Sequence, residues 1–178
     1  MAKIDQVRQT TDHDHTDCLN NALQNAEYVC SRKGVRLTDL RRRVLELVWE
    51  SHCPVTAYYI LEALMKVQRA APPTVYRALS FLQEHGLVHR IASLNAYVGC
   101  ISPQTDHSGQ FLICGTCQES VEILDAKVTK ALQETAMSAG FDVHQQTVEI
   151  IGTCNKCRQY SRCDDRLGAL SAPGTAKG

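Results

Sequence analysis

Residues 72–100 read PPTVYRALSFLQEHGLVHRIASLNAYVGC, and the period of their apolar residues changes once along the way. Behind the two prolines, Val75, Leu79 and Leu82 recur at helical spacing, and Gly86 is placed to end the helix. LVHRI, a short SLNA turn and YVGCI then read as the two strands of a hairpin. Three more helical patterns lie upstream. The first runs from about Cys18 to Lys33, with Leu19, Leu23, Ala26, Val29 and Cys30 on one face and Gly34 as a stop. Thr38 offers an N-cap to DLRRRVLELVWES, striped by Leu40, Val44, Leu47 and Val48. Thr56 does the same for AYYILEALMKVQ, with Ile60, Leu61, Leu64 and Val67 facing inward. Four helices followed by a two-stranded ribbon predict a winged helix-turn-helix over residues 18–101.

Beyond it, residues 102–109 (SPQTDHSG) form a polar hinge. QFLIC and SVEIL read as strands, DAKVTKALQETAMSAG as a helix capped by Asp125 and stopped by Gly140, and FDVHQQTVEIIG as a third strand. Residues 110–163 are therefore a second, small domain of mixed helix and sheet, and the whole chain is α+β. Residues 1–17 and 164–178 read as flexible tails.

The 178 residues are 44% hydrophobic and 21% charged, ordinary values for a globular chain. No run approaches the ~18 apolar residues of a membrane span, and the N-terminus resembles neither a secretory signal nor a transit peptide, so a soluble, cytoplasmic protein is expected. Nineteen basic and nineteen acidic residues cancel overall. They do not cancel locally. Residues 30–92 hold ten basic and five acidic groups, whereas the segments before and after them are net acidic. A positive field confined to one module suits a DNA reader.

Nine cysteines without a signal peptide argue against a disulfide framework, because the cytosol keeps thiols reduced. Cys114 and Cys117 form one CxxC, Cys154 and Cys157 a second, with 36 residues between the pairs. Four thiolates in two knuckles match a closed tetrahedral zinc site, and the intervening strand, helix and strand can return the chain to the same place. The competing use is a redox dithiol at Cys114 and Cys117, which requires the CGTC motif to open a helix rather than lead into β-patterned QESVEIL. Neither HExxH nor the HxE and PCxxC arrangement of zinc deaminases occurs, so an enzyme is not expected.

Helical spacing also predicts the DNA-reading face. With Val75, Ala78, Leu79 and Leu82 inward, Thr74, Tyr76, Arg77 and Ser80 remain outside, and Arg77 is the residue best suited to bridge guanine O6 and N7. Tyr58, near the start of the preceding helix, suits a thymine methyl or a phosphate. The consecutive Arg41, Arg42 and Arg43 point in different directions and suit phosphate positioning.

RLTDLRRRVLELV, PPTVYRALSFLQEHGLVHRI, NAYVGC, CGTC and CNKC, taken together, resemble the ferric uptake regulator family of metal-dependent transcription regulators over residues 19–160. The resemblance implies a homodimer on palindromic double-stranded operator DNA, dimerised by the second domain. It also implies a regulatory metal site at His89, Cys100, His107 and Glu122. Each residue taken alone has an ordinary structural reading, but two imidazoles, one thiolate and one carboxylate suit tetrahedral Zn(II) better than Fe(II) or Mn(II). TDHSGQFLIC also lacks the His-rich run that iron and peroxide sensors carry before the first CxxC. The expectation is a zinc-responsive repressor of zinc-uptake genes, with two Zn(II) per protomer and no small-molecule substrate. An iron or peroxide sensor of the same family remains the alternative. His144, Asp106 and the N-terminal His13 and His15 are further candidate ligands.

Overall fold

A computed structural model describes residues 15–50, 53–105 and 107–159. The N-terminal half contains α1 (His15–Arg32), α2 (Asp39–Trp49), β1 (Val55–Thr56), α3 (Ala57–Met65), α4 (Pro72–Glu84), β2 (Val88–Ile91) and β3 (Ala96–Gly99). The C-terminal half contains β4 (Gly109–Cys114), β5 (Ser120–Glu122), α5 (Ala126–Ser138) and β6 (Thr147–Gly152). Helix α1 begins three residues before the expected Cys18. The expected C-terminal tail lies outside the described residues.

Local chemistry sets the boundaries. Thr38 caps α2 by accepting from the Arg41 amide, and Thr56 caps α3 by accepting from Tyr59. Pro72 and Pro73 lie inside the first turn of α4 rather than ahead of it, where the amides they lack have no helical partner anyway. Gly86, at φ +70°, ends that helix and turns the chain into β2. Helix α3 stops at Met65, so Val67 falls beyond it and is 75% exposed, not inward.

The apolar faces of α1 to α4 close on one another and on Tyr97 and Val88 to form the main core, with Ala26, Val44, Ile60, Leu64 and Leu82 completely buried. A fully buried aliphatic side chain of this kind contributes about 1.5–3 kcal/mol. The wing sheet has the order β1-β3-β2 and is antiparallel throughout. Its two-residue strand β1 escapes sequence reading because it is too short to show a period and because Thr56 serves both as strand and as cap.

The second sheet has the order β5-β4-β6, antiparallel on one side of β4 and parallel on the other. Asp125 caps α5 by accepting from the Lys127 amide, and Gly140 follows its end at φ +72°. Strand β6 is half the predicted length: pairing begins at Thr147 opposite Gly109, where β4 itself begins, so residues 141–146 meet no strand partner. This half carries little core of its own. Helix α5 buries no residue, and the four buried residues of the second apolar cluster are Ile91 and Val98 from the wing with Phe111 and Ile113 from β4. Further ties cross the hinge. Gln104 donates to Asn25 at 2.8 Å, and Glu149 on β6 accepts from the amides of Ala92 and Ser93 in the wing turn.

Candidate metal centres

Parallel pairing of β4 with β6 places the two CxxC knuckles at one end of the sheet, the last pair in register being Cys114 with Gly152. The first knuckle is a tight turn closed by the Gln118 amide on the Cys114 carbonyl at 2.8 Å. The second opens a short helical turn over residues 155–159. The four sulfurs lie within 4.8 Å of one another, and Cys117 Sγ is 3.8 Å from Cys154 Sγ. A tetrahedron with ligands at ~2.3 Å has edges of ~3.8 Å, so the spacing fits a zinc tetrathiolate. The amides of Cys154 and then Cys117 lower the Cys114 thiol to about 6, while hydrogen bonding to Cys154 pushes Cys157 up to about 12. Four sulfurs this close need a cation if all are to ionise. The CGTC turn runs into β5, not into the helix that the redox reading expects there.

The second cluster gathers donors from both sides of the hinge. His89 comes from β2, Cys100 follows β3, His107 lies two residues before β4 and Glu122 ends β5, and their ligand atoms also lie within 4.8 Å of one another. Glu122 Oε1 is 2.9 Å from His89 Nε2 and 3.1 Å from His107 Nε2, and Cys100 Sγ is 3.5 Å from His107 Nε2. Glu122 Oε2 accepts from the Ile101 amide at 3.0 Å, which fixes the carboxylate. His89 Nε2 is buried and close to Glu122 without the alignment of a hydrogen bond, an orphaned donor aimed into the cluster. That is the arrangement a tetrahedral ion would complete.

Charge within the cluster is already paired. Contact with Cys100, then with Glu122, pushes His107 up to about 11. Burial opposes a charged His89, but the Cys100 and Glu122 contacts outweigh it and raise it to about 9. Burial likewise opposes ionisation of Cys100 and Glu122, yet the two imidazoles reverse it, lowering the thiol and bringing the carboxyl to about 2. A metal ion bound here would take the place of the protons that the two imidazoles hold.

A profile of the ferric uptake regulator family matches residues 32–151. The chain belongs to that family. It is 36% identical to the zinc uptake regulation protein of Escherichia coli strain K12, over 79% of this chain and 84% of that protein. Among solved structures of the family, it resembles holo XcZur at 42% identity and a TM-score of 0.73, covering 79% of this chain and 99% of that one. It also resembles a zinc uptake regulator complexed with zinc and DNA at 35% identity and a TM-score of 0.78, covering 82% and 98%.

On α4, Val75, Ala78, Leu79 and Leu82 are buried together with Phe81, leaving Tyr76, Arg77 and Ser80 exposed and Thr74 partly so. Tyr58 on α3 is 69% exposed. The arginine run is engaged within the chain. Arg41 stacks 3.5 Å from the Phe81 ring centre, Arg42 pairs with Glu27 and Glu46, and Arg43 pairs with Glu46 and Glu50. Of the further candidate ligands, His144 is exposed and belongs to neither cluster, Asp106 and His13 lie outside the described residues, and His15 is the first residue of α1.

Sequence reading passed over Phe111 and Gly109. The Phe111 ring packs edge-on to His89 with centres 5.5 Å apart. A Cβ on Gly109 would stand 2.7 Å from Phe111 and 3.3 Å from His89 Nδ1, so glycine is what lets both rings approach β4. An isolated glycine opening a strand pattern was the available signal.

Proposed function

We propose that the chain is a zinc-responsive transcriptional repressor of zinc-uptake genes that binds palindromic operator DNA as a homodimer, with Zn(II) as corepressor and two Zn(II) per protomer. The observation that carries this reading is the second cluster, whose four donors come from the wing, the hinge and the C-terminal sheet. The family relationship to zinc uptake regulators, one of them solved with zinc and DNA, supports it. Bound Zn(II) supplies positive charge and a tetrahedral preference. His89 and Cys100 fix the wing end of the site, while His107 and Glu122 fix the other, so filled ligand positions favour one setting of the winged helix. Arg77, Tyr76, Thr74 and Ser80 would then face base edges in the major groove, with Tyr58 beside them. Arg41, Arg42 and Arg43 brace α2 and would offer their remaining donors to phosphate. Cys114, Cys117, Cys154 and Cys157 would hold the structural ion. The exposed Leu112, Ile150, Leu132 and Met137 suit the covered face of a dimer. We place the protein in the cytoplasm and assign it no catalytic role; no helix of the described residues is long and apolar enough to cross a membrane.

Cys100→Ser tests the switch. The swap keeps the size of a residue that is 2% exposed but removes the soft ligand. The variant should remain a dimer with its structural zinc yet need at least about tenfold more free zinc to bind operator, measured by fluorescence anisotropy in buffered zinc. His89→Ala should act alike, and the double variant should lose less than the sum, because either change breaks one shared site. An unchanged zinc midpoint for Cys100→Ser would sink the site; titration of the demetallated protein with Fe(II) and Mn(II) in parallel separates the sensors of other metals.

Arg77→Ala should cost about 1–3 kcal/mol on the operator and relax preference at one base position. Equal losses on operator and random DNA would reduce Arg77 to a phosphate contact.

A further inference from the structure

The C-terminal sheet presents a row of three residues, Glu122, Phe111 and Glu149, paired directly across β5, β4 and β6 and therefore on one face. Two of them have tasks already described. Glu122 belongs to the metal cluster, and Phe111 packs on the wing's Ile91 and Val98 with Leu94 beside them. Glu149 belongs to neither metal cluster. Its Oε1 accepts from the Ala92 amide at 2.6 Å and its Oε2 from the Ser93 amide at 3.0 Å. These amides stand at the tip of the wing hairpin, where a turn closed by the Asn95 amide on the Ala92 carbonyl at 3.1 Å leaves them without a strand partner. Each oxygen of one carboxylate takes one of two consecutive amides, a bidentate grip that resists both sliding and rotation. Burial alone would raise the Glu149 carboxyl; the Ser93 and Ala92 groups reverse that and keep it below the usual range.

We propose that Glu149 is a wing-positioning residue, anchoring the hairpin tip to β6 and so setting how much zinc is needed before the operator is bound. The proposal rests on the zinc-responsive reading above. The four regulatory ligands are divided between the wing side and the sheet side, so a metal ion meets all of them only while the wing is docked. Apparent affinity then equals the intrinsic value scaled by the docked fraction. Glu149 touches the wing on the side of Phe111 away from Glu122, so it favours docking without contributing a ligand.

The test uses the full-length dimer. Glu149→Ala should keep its structural zinc and its operator affinity at saturating zinc, while its zinc midpoint rises about tenfold, the effect expected for losing charged hydrogen bonds. The Ala92 and Ser93 amides should lose protection from hydrogen exchange. Ser93→Pro checks the same contact from the wing, leaving β6 untouched: it deletes the Ser93 amide and hydroxyl but keeps the Ala92 amide, at the second position of a turn, where proline is favoured. It should raise the midpoint by a smaller factor. Parental midpoints in both variants, or losses equally large at saturating zinc, would overturn the role of Glu149. A parent protein that binds operator without regard to zinc would instead overturn the functional reading, and this control is read first.

Discussion

Cys117→Ser or Cys154→Ser is expected to unfold the C-terminal half and abolish the dimer while leaving α1 to α4 folded. In small domains, binding of a structural zinc contributes on the order of 10–16 kcal/mol, as much as an entire domain's net stability. Here little else stands behind it. Helix α5 buries no side chain, and the apolar cluster that reaches this half among the described residues borrows Ile91 and Val98 from the wing. The knuckles also close the far end of the parallel pair of β4 and β6, which has no short connection to hold it. Metal analysis, sedimentation and limited proteolysis on the same samples would follow the outcome. The expected pattern is loss of the tightly held zinc, monomers, and cleavage after about residue 105 with an intact N-terminal fragment. A mild chelator on the parent should, by contrast, empty the mixed-ligand site first and leave the dimer standing. A serine variant that keeps both its zinc content and its dimer would refute the structural assignment.

Gly99→Ala should destabilise the winged helix by about 3 kcal/mol, and more if the indole cannot shift. A Cβ at this position would fall inside the envelope of Trp49 Nε1, Cε2 and Cζ2. Trp49 is 8% exposed at the end of α2, packed into the main core, so the ring has nowhere to go without displacing that core. Position 99 also pairs with Val88, one residue before His89, so the strain is delivered to the wing. Thermal unfolding of the N-terminal transition measures the loss. An unshifted midpoint would mean that the indole of Trp49 can yield to the added methyl without loss of packing. Gly99→Ser should be at least as damaging.

The elements that sequence reading found are those with strong local signals. Thr38, Thr56 and Asp125 cap helices, Gly86 and Gly140 terminate them, and most of the stripe residues of α1, α2 and α4 are buried, although Leu19 and Leu40 are only half-buried and the buried Ala22, Leu45 and Trp49 fall outside the stripes. The two donor groups were legible for a different reason: cysteine pairs at fixed spacing, and the resemblance that singled out His89, Cys100, His107 and Glu122. What escaped depends on partners distant in sequence. The length of β6 is set by where β4 starts, and β1 exists only because β3 passes beside it. Of the partners of the arginine run, Glu46 lies at i+3 and i+4 on the same helix and was legible from helical spacing, whereas Glu27 on α1 can be matched to Arg42 only in three dimensions. Glu149 carries no motif, since its acceptor role is defined by two backbone amides more than 50 residues away.

The residues of the larger core all precede position 98, whereas the first of the four knuckle cysteines is Cys114 and the last Cys157. On the ribosome, at about 5–20 residues per second, the DNA-reading half is therefore finished several seconds before the chain that completes the second half has been made. During that interval the nascent protein displays His89 and Cys100 without Glu122, and α4 without a second copy to match a palindrome. If the four knuckle cysteines hold a structural ion as proposed, translation order keeps the reader silent until Cys154 and Cys157 have emerged and captured it.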